Sequence, residues 1–178
     1  MKRKVDLWAY KKDDDNSITI MIRSGVMLNI LDPDPDKLLI EDIAHALSMQ
    51  CRFAGHTKEF YSVAQHSLLC SIEAPAKLKL EALLHDASEA YIQDIARPLK
   101  NKLKEYKLIE STIMTAIAKK FGFNWPLSKK IKAIDDKILK IEFNNFILDR
   151  EKTLKSMTPH TAKIAFLKQF YNLYKCKN

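Results

Sequence analysis

The sequence predicts an all-α protein, a helical bundle with a small β-hairpin near its N-terminus. Only three glycines among 178 residues leave little room for glycine-rich phosphate loops or for an all-β chain with many tight turns. Long segments repeat their apolar residues at helical spacing, and the hydrophobic content of 47% is ordinary for a globular protein. A chain of this length suggests a single domain, 1–178, that can bury a substantial core.

The elements follow one another without an interdomain linker or an internal repeat. Aliphatic and β-branched residues alternate around Ser24-Gly25, which predicts the hairpin. The segment DPDPD that follows cannot lie inside a helix, and it favours the start of a helix near Leu38. The hairpin is predicted at about 17–31, a helical core at about 38–150 and a C-terminal helix at about 160–175. Within the core, helices are predicted at 40–50, 60–72, 104–122 and 127–149. One further helix begins near Pro75 and carries LKLEALLHDASEAY.

Cysteine usage and hydropathy narrow the class of protein. Cys51, Cys70 and Cys176 show no motif spacing of a disulfide framework or zinc site. The N-terminal stretch MKRKVDLWAYKKDDD contains no apolar run of signal-peptide length, and no run of about 18 apolar residues is long enough to span a membrane. We therefore expect a cytoplasmic protein that makes no use of a membrane.

The net charge of +8 is compatible with several partners. A basic surface can bind nucleic acid, and it also suits anionic small molecules such as nucleotides. Much of the lysine lies in 100–140 and in the C-terminal tail, where it is equally typical of solvated helix faces. Aromatic residues do not alternate with the basic ones to mark a binding strip, so a basic nucleic-acid-binding helical module is kept only as the alternative from another class.

An unusual group of polar residues lies in LLHDASEAYIQD, residues 83–94. On a helical wheel at about 100° per residue, His85, Asp86 and Glu89 share one face. Ala82 lies in the middle of that face, which leaves space for an ion or a substrate. For an isolated helix, a surface pair between His85 and Glu89 at i,i+4 spacing is the simpler alternative.

Two other predicted helices offer inward-pointing polar groups. His66 shares the apolar stripe of Cys70, where it is either a ligand or a core histidine bonded to a carbonyl. Asp135 lies close to the apolar stripe of helix 127–149, whereas Asp136 lies on the far side. Because a carboxylate on an apolar face is costly unless it is paired or metal-bound, Asp135 is the stronger candidate.

The histidines and carboxylates together form a candidate metal centre. His66, His85, Asp86 and Asp135 supply two imidazoles and two carboxylates, a set that suits one divalent transition metal such as Mn²⁺, Co²⁺, Fe²⁺ or Zn²⁺. An octahedral metal would keep open positions for water and a phosphate oxygen. Because such a metal acidifies water and polarises phosphoryl groups, the pattern predicts phosphoester hydrolysis.

The order His66, His85-Asp86 and Asp135 resembles that of the HD-domain metal-dependent phosphohydrolases. RFAGHTKEFYSVAQHS followed by LLHDASEAYIQDIARPLK looks like the branch that contains bacterial 5′-deoxynucleotidases. Small phage-type HD hydrolases, including dATP triphosphohydrolases, share this pattern, and SGVMLNILDPDPDKLLIEDIAHALS resembles their N-terminal region. The resemblance covers roughly residues 18–145 and implies an HD-domain helical bundle.

The resemblance also implies a role for each matching residue. His66, His85, Asp86 and Asp135 would ligate the metal, Glu89 would act as general acid or base, and Asp94 would lie near the sugar and the reacting water. Arg52 matches a phosphate-binding arginine, Phe53 stands where the family often has tryptophan against the sugar or base, and Lys100 and Lys132 match phosphate-binding lysines of the phage enzymes. Related enzymes form dimers or larger rings, so a homo-oligomer is expected.

Some of these outer positions keep a simpler interpretation. Arg52 and Arg97 are equally able to pair with DPDPD or another surface acid. In a chain so rich in lysine, Lys100 and Lys132 are more typical of ordinary surface charge than of ligands.

Metal-dependent hydrolysis of a nucleotide phosphoester is the function that these features predict. The first hypothesis is a 5′-deoxynucleotidase that converts deoxynucleoside 5′-monophosphates to deoxynucleoside and phosphate, because the run HDASE…D…P.K fits that branch closely. A dNTP triphosphohydrolase of the dATP type is the alternative, since the N-terminal hairpin and the compact length suit the phage-type enzymes.

Overall fold

The computed structural model describes residues 17–175. This part of the chain is mostly helical and carries one two-stranded antiparallel sheet near its N-terminus, which confirms the predicted all-α class with a small hairpin. The basic N-terminal stretch 1–16 and Cys176 lie outside the described residues. The strands are β1 (Thr19–Met21) and β2 (Met27–Asn29), and the α-helices are α1 (Ile40–Met49), α2 (Val63–Glu73), α3 (Lys79–Leu83), α4 (Glu89–Ile92), α5 (Arg97–Lys100), α6 (Lys104–Phe121), α7 (Lys129–Glu142) and α8 (Pro159–Lys175).

The hairpin closes where the alternating pattern predicted it. Ile20 pairs with Leu28, and Leu28 is fully buried against the helical core. Gly25 adopts a φ of 84°, a left-handed conformation that glycine reaches without the steric cost borne by other residues.

Helix α2 lies at the centre of the bundle, in contact with α1, α3, α7 and α8. It begins where the Ser62 hydroxyl accepts a hydrogen bond from the Gln65 backbone N–H at 3.2 Å, a normal N-terminal cap. Phe166 and Phe170 of α8 are almost wholly buried, and Phe121 of α6 meets the Phe170 ring edge to face at 5.2 Å. Because α2 is packed on several sides, its polar side chains Gln65, His66, Ser67 and Ser71 are buried.

The segment LKLEALLHDASEAY does not form the single helix that the sequence predicted. Helix α3 ends at Leu83, and residues 84–88 form tight turns before α4 begins at Glu89. At this break, Nδ1 of the His85 ring lies 2.8 Å from the Ala82 carbonyl oxygen. In a continuous α-helix that carbonyl would accept from the Asp86 backbone N–H. The helical wheel was therefore the wrong geometry for this segment.

The remaining helices follow the predicted boundaries within a few residues. Helix α6 ends at Gly122, whose φ of 70° matches a glycine C-terminal cap. Helix α7 continues into a π-helical turn at Phe143–Ile147, so the helical stretch nearly fills the predicted 127–149. Within residues 17–175, no helix combines the length and the apolar character needed to cross a membrane.

Candidate metal centre

The side chains singled out in the sequence meet at one cleft of about 1080 Å³. The cleft is lined by nine of the ten candidate residues: Arg52, Phe53, His85, Asp86, Glu89, Asp94, Lys100, Lys132 and Asp135. The tenth, His66, is fully buried on α2 and reaches the same place from behind. The fold thus brings together all ten residues, although the wheel that grouped some of them was wrong.

Four donor atoms converge at the floor of the cleft. Nε2 of His66 lies 3.2 Å from Nε2 of His85, 3.4 Å from Oδ2 of Asp86 and 3.4 Å from Oδ1 of Asp135. Nε2 of His85 lies 3.1 Å from the same Asp86 oxygen. Ligand atoms at about 2.1 Å from one metal are about 3.0 Å apart at right angles and about 3.4 Å apart at the tetrahedral angle. The measured separations therefore fit a single metal ion.

The second nitrogen of each imidazole fixes which nitrogen carries the proton. Nδ1 of His85 faces the Ala82 carbonyl at 2.8 Å, and Nδ1 of His66 faces Oε1 of Glu142 at 2.6 Å. Both oxygens can only accept, so each Nδ1 donates and each neutral ring keeps a lone pair on Nε2. The expected alternative that His66 bonds a carbonyl is wrong, because its partner is the Glu142 carboxylate. Hydrogen bonding of the far nitrogen to an oxygen is the usual arrangement of a metal-binding histidine.

The electrostatics of the four groups also favour a cation among them. Burial raises the pKa of Asp86, but the charges and hydrogen bonds of His85 and His66 outweigh it and hold that pKa well below its usual range. Burial raises the pKa of Asp135 as well, but the His66 hydrogen bond and the charges of His85 and His66 together outweigh burial and lower that pKa. Burial and Arg52 lower the pKa of His66, yet Glu142 and the neighbouring acids raise it overall. The donor set, its spacing and its preference for positive charge together fit a divalent metal.

Cys70 is also close to the two histidines, with the three ligand atoms within 4.8 Å of one another. Its Sγ lies 3.6 Å from Nε2 and 3.9 Å from Nδ1 of His66. Two nearly equal distances place the sulfur beside the ring, away from the Nε2 lone pair that points outward. Burial raises the pKa of the thiol, which disfavours the thiolate that metals bind. His66, Cys70 and His85 thus form a second group that could hold a metal, and the short distances favour Asp86 and Asp135 as the partners of the two histidines.

Glu89 and Asp94 stand on the wall beside the donor atoms. Glu89 is only 3% exposed, so the surface pair with His85 considered from the sequence is wrong. Burial raises the pKa of Glu89 well above its usual value, and the charges of Asp86 and Asp94 raise it further. Burial also raises the pKa of Asp94. Both carboxyl groups thus hold a proton more readily than an ordinary surface acid.

Lys100 pairs with Glu89 rather than lying free on the surface. Its Nζ is 3.3 Å from Oε1 of Glu89 and also contacts Glu110. The other oxygen of Glu89, Oε2, is buried and has no hydrogen-bond partner among residues 17–175. This leaves one carboxyl oxygen of Glu89 available to a ligand in the cleft.

Gln50 was not anticipated from the sequence, although it holds the segment that carries Glu89. Its side-chain amide donates to the Glu89 carbonyl at 2.8 Å and accepts from the Asp94 backbone N–H at 3.2 Å. Nothing in the spacing of Gln50 marks it, because its partners are about forty positions away.

Arg52 is buried and turned toward the acids of the cleft. Its guanidinium lies 3.8 Å from Asp86 and 4.0 Å from Asp94, and NH2 lies 3.2 Å from Oε2 of Glu142. The pKa of Arg52 is raised, since Glu142 and the other carboxylates outweigh the effect of burial. The alternative in which Arg52 pairs with DPDPD on the surface is therefore wrong.

Glu142 itself is the main residue that the sequence interpretation missed. It is wholly buried and contacts both His66 and Arg52. A signal was present, since Glu142 follows Asp135 by seven residues and so lies on the same face of α7, two helical turns away. Burying an unpaired carboxylate on the apolar stripe of α7 costs free energy at position 142 as it does at Asp135.

The outer side of the centre carries two cations. Oδ2 of Asp135 accepts from Arg97 at 2.9 Å and from Lys132 at 2.8 Å. Both cations also contact Asp136, whose side chain is 44% exposed, against 13% for Asp135. The prediction that Asp135 points inward and Asp136 outward is confirmed. Lys132 lines the cleft, although its side chain is 56% exposed.

Phe53 provides an aromatic surface beside the charged groups. Its ring lies 6.2 Å from that of Phe143, tilted by 59°, and the Arg52 guanidinium lies 5.5 Å from its centre. Phe53 and Ala54 have positive φ values of 54° and 50°, which turn the chain sharply after Arg52. A planar group can therefore stack on this wall while its anionic end approaches Arg52.

Comparison with known proteins finds relatives whose names state no activity. No protein-family model matches the chain. It is 47% identical over 114 residues to the uncharacterized protein YfdR of Escherichia coli K12, across 64% of each chain. It is 37% identical over 133 residues to the uncharacterized protein RCAP_rcc00048 of Rhodobacter capsulatus, across 67% of this chain and 68% of the relative. The matched segment thus spans slightly less than two thirds of YfdR.

Proposed function

The chain belongs to the family of the Rhodobacter capsulatus protein RCAP_rcc00048, and we propose that it is an HD-type divalent-metal-dependent phosphohydrolase of nucleotides. One observation carries the proposal. Nε2 of His66 lies 3.2–3.4 Å from Nε2 of His85 and from one oxygen each of Asp86 and Asp135, Nε2 of His85 lies 3.1 Å from the same Asp86 oxygen, and the Nδ1 atom of each ring faces an oxygen that can accept its proton.

His66, His85, Asp86 and Asp135 would hold one Mn²⁺, Co²⁺, Fe²⁺ or Zn²⁺ ion. When bound there, such an ion supplies Lewis acidity toward a phosphoryl oxygen and makes water more acidic. Arg52 binds the phosphoryl group from the adjacent wall. Because Arg52 is buried in surroundings of low dielectric, its electrostatic attraction for an anion is stronger than at the surface. Because Arg52 lies close to Asp86, a phosphoryl group bound by Arg52 is also close to the four proposed metal ligands.

Glu89 donates the proton that the leaving 5′-oxygen needs. Burial raises the pKa of Glu89 well above its usual value, so this carboxyl group retains its proton to higher pH than a surface acid does, which favours proton donation to the departing 5′-oxygen. Lys100 holds Oε1, and the unpartnered Oε2 carries the proton toward the cleft. Asp94 lies 4.0 Å from Arg52 and helps to orient the guanidinium and the sugar end of the substrate.

A deoxynucleoside 5′-monophosphate is the substrate that we favour. A single phosphoryl group is matched by one buried guanidinium, Arg52, and the sugar and base extend along the aromatic wall of Phe53 and Phe143. The reaction breaks the bond between phosphorus and the 5′-oxygen and adds water, giving a deoxynucleoside and phosphate. We place this activity in the cytoplasm, in keeping with the free cysteines Cys51 and Cys70.

A dNTP triphosphohydrolase is the second candidate, and the basic lining of the cleft favours it. Beyond Arg52, the cleft is lined by six further cations: Arg97, Lys100, Lys107, Lys129, Lys132 and Lys140. Such a set is more than one phosphoryl group requires, and it suits a chain of three phosphates.

Substrate panels separate the candidates. The metal-free protein is reloaded with Mn²⁺ or Co²⁺ and offered dNMPs, NMPs and dNTPs, and the release of orthophosphate or triphosphate is measured. Orthophosphate from dNMPs supports the nucleotidase, whereas triphosphate from dNTPs supports the second candidate. If neither product forms, while the protein binds DNA or RNA in a salt-dependent manner without metal, the proposal is wrong and the nucleic-acid-binding alternative stands.

A further inference from the structure

Glu142 is a wholly buried carboxylate at the end of α7 with three polar partners. Oε1 lies 2.6 Å from Nδ1 of His66 and accepts from the Tyr61 hydroxyl at 2.7 Å. Oε2 lies 3.2 Å from NH2 of Arg52. The two oxygens are therefore divided between a metal ligand and the anion-binding guanidinium.

The Oε1 contact decides the orientation of the His66 ring. Because Glu142 accepts the Nδ1 proton, the Nε2 lone pair is directed at His85, Asp86 and Asp135. Without an acceptor at this place, the ring could rotate or carry its proton on Nε2, and either change removes a donor atom from the centre.

The Oε2 contact holds Arg52 in its buried position. A guanidinium that is only 7% exposed needs a compensating charge, and Glu142 is the nearest carboxylate to it. If Glu142 served only the stability of the fold, there would be no need for its two oxygens to be shared between the two functional groups.

From this division we propose that Glu142 is a positioning residue that aligns the metal ligand His66 and the phosphate-binding Arg52 at the same time. The inference rests on the proposed function and extends it to a residue outside the metal-ligand set. A Glu142→Gln side chain keeps the volume but has one oxygen and one NH₂ group, so it can serve His66 or Arg52 and not both. Tyr61→Phe is the matched control, because it removes the third partner of Glu142 and leaves the other two.

The test compares metal binding in wild type, Glu142→Gln and Tyr61→Phe by Co²⁺ titration against a chelator, with thermal unfolding to verify folding. We expect Co²⁺ affinity to fall about 10–100-fold in Glu142→Gln and to stay close to wild type in Tyr61→Phe. Inorganic phosphate should also bind more weakly to Co²⁺-loaded Glu142→Gln. Wild-type Co²⁺ and phosphate affinities in a folded Glu142→Gln would overturn the inference.

A measurement on the wild type keeps the inference testable if Glu142→Gln does not fold. In the Zn²⁺-loaded protein, ¹⁵N NMR of the His66 ring should show the proton on Nδ1 and a strong hydrogen bond to Glu142. A mobile His66 ring, or an Nδ1 proton without a hydrogen bond to Glu142, would overturn the inference while the proposed function stands. Wild type that binds neither Co²⁺ nor Zn²⁺ would overturn both.

Discussion

The Nε2 atoms of His66 and His85 lie 3.2 Å apart, and their Nδ1 atoms face the Glu142 carboxylate and the Ala82 carbonyl. Nε2 of His66 also lies 3.4 Å from one oxygen each of Asp86 and Asp135. A divalent cation between these donor atoms would be attracted by both carboxylates and by the Nε2 lone pairs. We therefore expect divalent metal to stabilise the fold. At a free Mn²⁺ concentration of 100 times Kd, linkage gives about 2.7 kcal/mol, which corresponds to a rise in Tm of about 5–10 °C for a chain of this size.

Thermal unfolding of the metal-free protein with and without Mn²⁺ measures this effect. Asp135→Asn serves as the control, because the loss of one ligand should remove most of the rise in Tm. An equal Tm for the wild type in chelator and in excess Mn²⁺ would show that the two histidines do not share a metal.

Asp135 and Asp136 provide a matched pair for testing which carboxylate binds the metal. Asp135 faces His66 at 3.4 Å, whereas Asp136 contacts only the two surface cations Arg97 and Lys132 among the partners found for it. Asp135→Asn should therefore lower the bound metal to well under one equivalent, and Asp136→Asn should retain it. Metal analysis after gel filtration checks both variants. The reverse result would place Asp136 in the ligand set.

Glu89→Gln should separate proton transfer from metal binding. Removal of a general acid lowers the rate by about 10²–10⁴-fold, while the metal content should not change because Glu89 is outside the four-atom cluster. The raised pKa of Glu89 means that the active, protonated form predominates at low pH and disappears as pH rises through that pKa. The wild-type kcat should therefore fall on its alkaline side, and the residual activity of Glu89→Gln should lack that fall.

Glu110→Gln is the control for this variant. Glu110 contacts the same lysine, Lys100, from the other side, so its neutralisation perturbs Lys100 without removing the proposed acid. A loss of activity in Glu110→Gln equal to that in Glu89→Gln would indicate that Lys100, rather than Glu89, is the group on which the rate depends.

Local patterns in the sequence predicted the helical class and the inward direction of His66 and Asp135, whereas Arg52, Phe53, Asp94 and Lys100 were assigned to the site by the resemblance to HD-domain enzymes. Apolar periodicity identified α2 and α7 as inward-facing helices, and the same periodicity placed His66 and Asp135 on their buried faces. The free-energy cost of burying an unpaired carboxylate then distinguished Asp135 from Asp136 without any coordinates. These inferences needed only the spacing within one helix.

What the sequence could not predict depends on contacts between distant segments. The helix that was expected to carry His85 is interrupted where Nδ1 of the His85 ring lies close to the Ala82 carbonyl oxygen. Such a contact between a side chain and the backbone competes with helical hydrogen bonds, and a helical wheel does not take it into account. The role of Gln50 appears only when the end of α1 meets the segment of α4, and the shared role of Glu142 appears only when α2 and α7 are assembled. The helical-wheel prediction placed the correct residues together for the wrong reason, since turns replaced the helix.

The sharp turn after Arg52 allows a test that concerns stability alone. Ala54 is exposed and has a φ of 50°, a left-handed conformation that costs residues other than glycine about 1–2 kcal/mol. Ala54→Gly should therefore raise the free energy of unfolding by about 1 kcal/mol. Ala133→Gly, at an exposed position within α7, should lower it by about 1 kcal/mol. Urea unfolding measures both, and destabilisation by Ala54→Gly as large as that by Ala133→Gly would mean that Ala54 has an ordinary backbone conformation in solution.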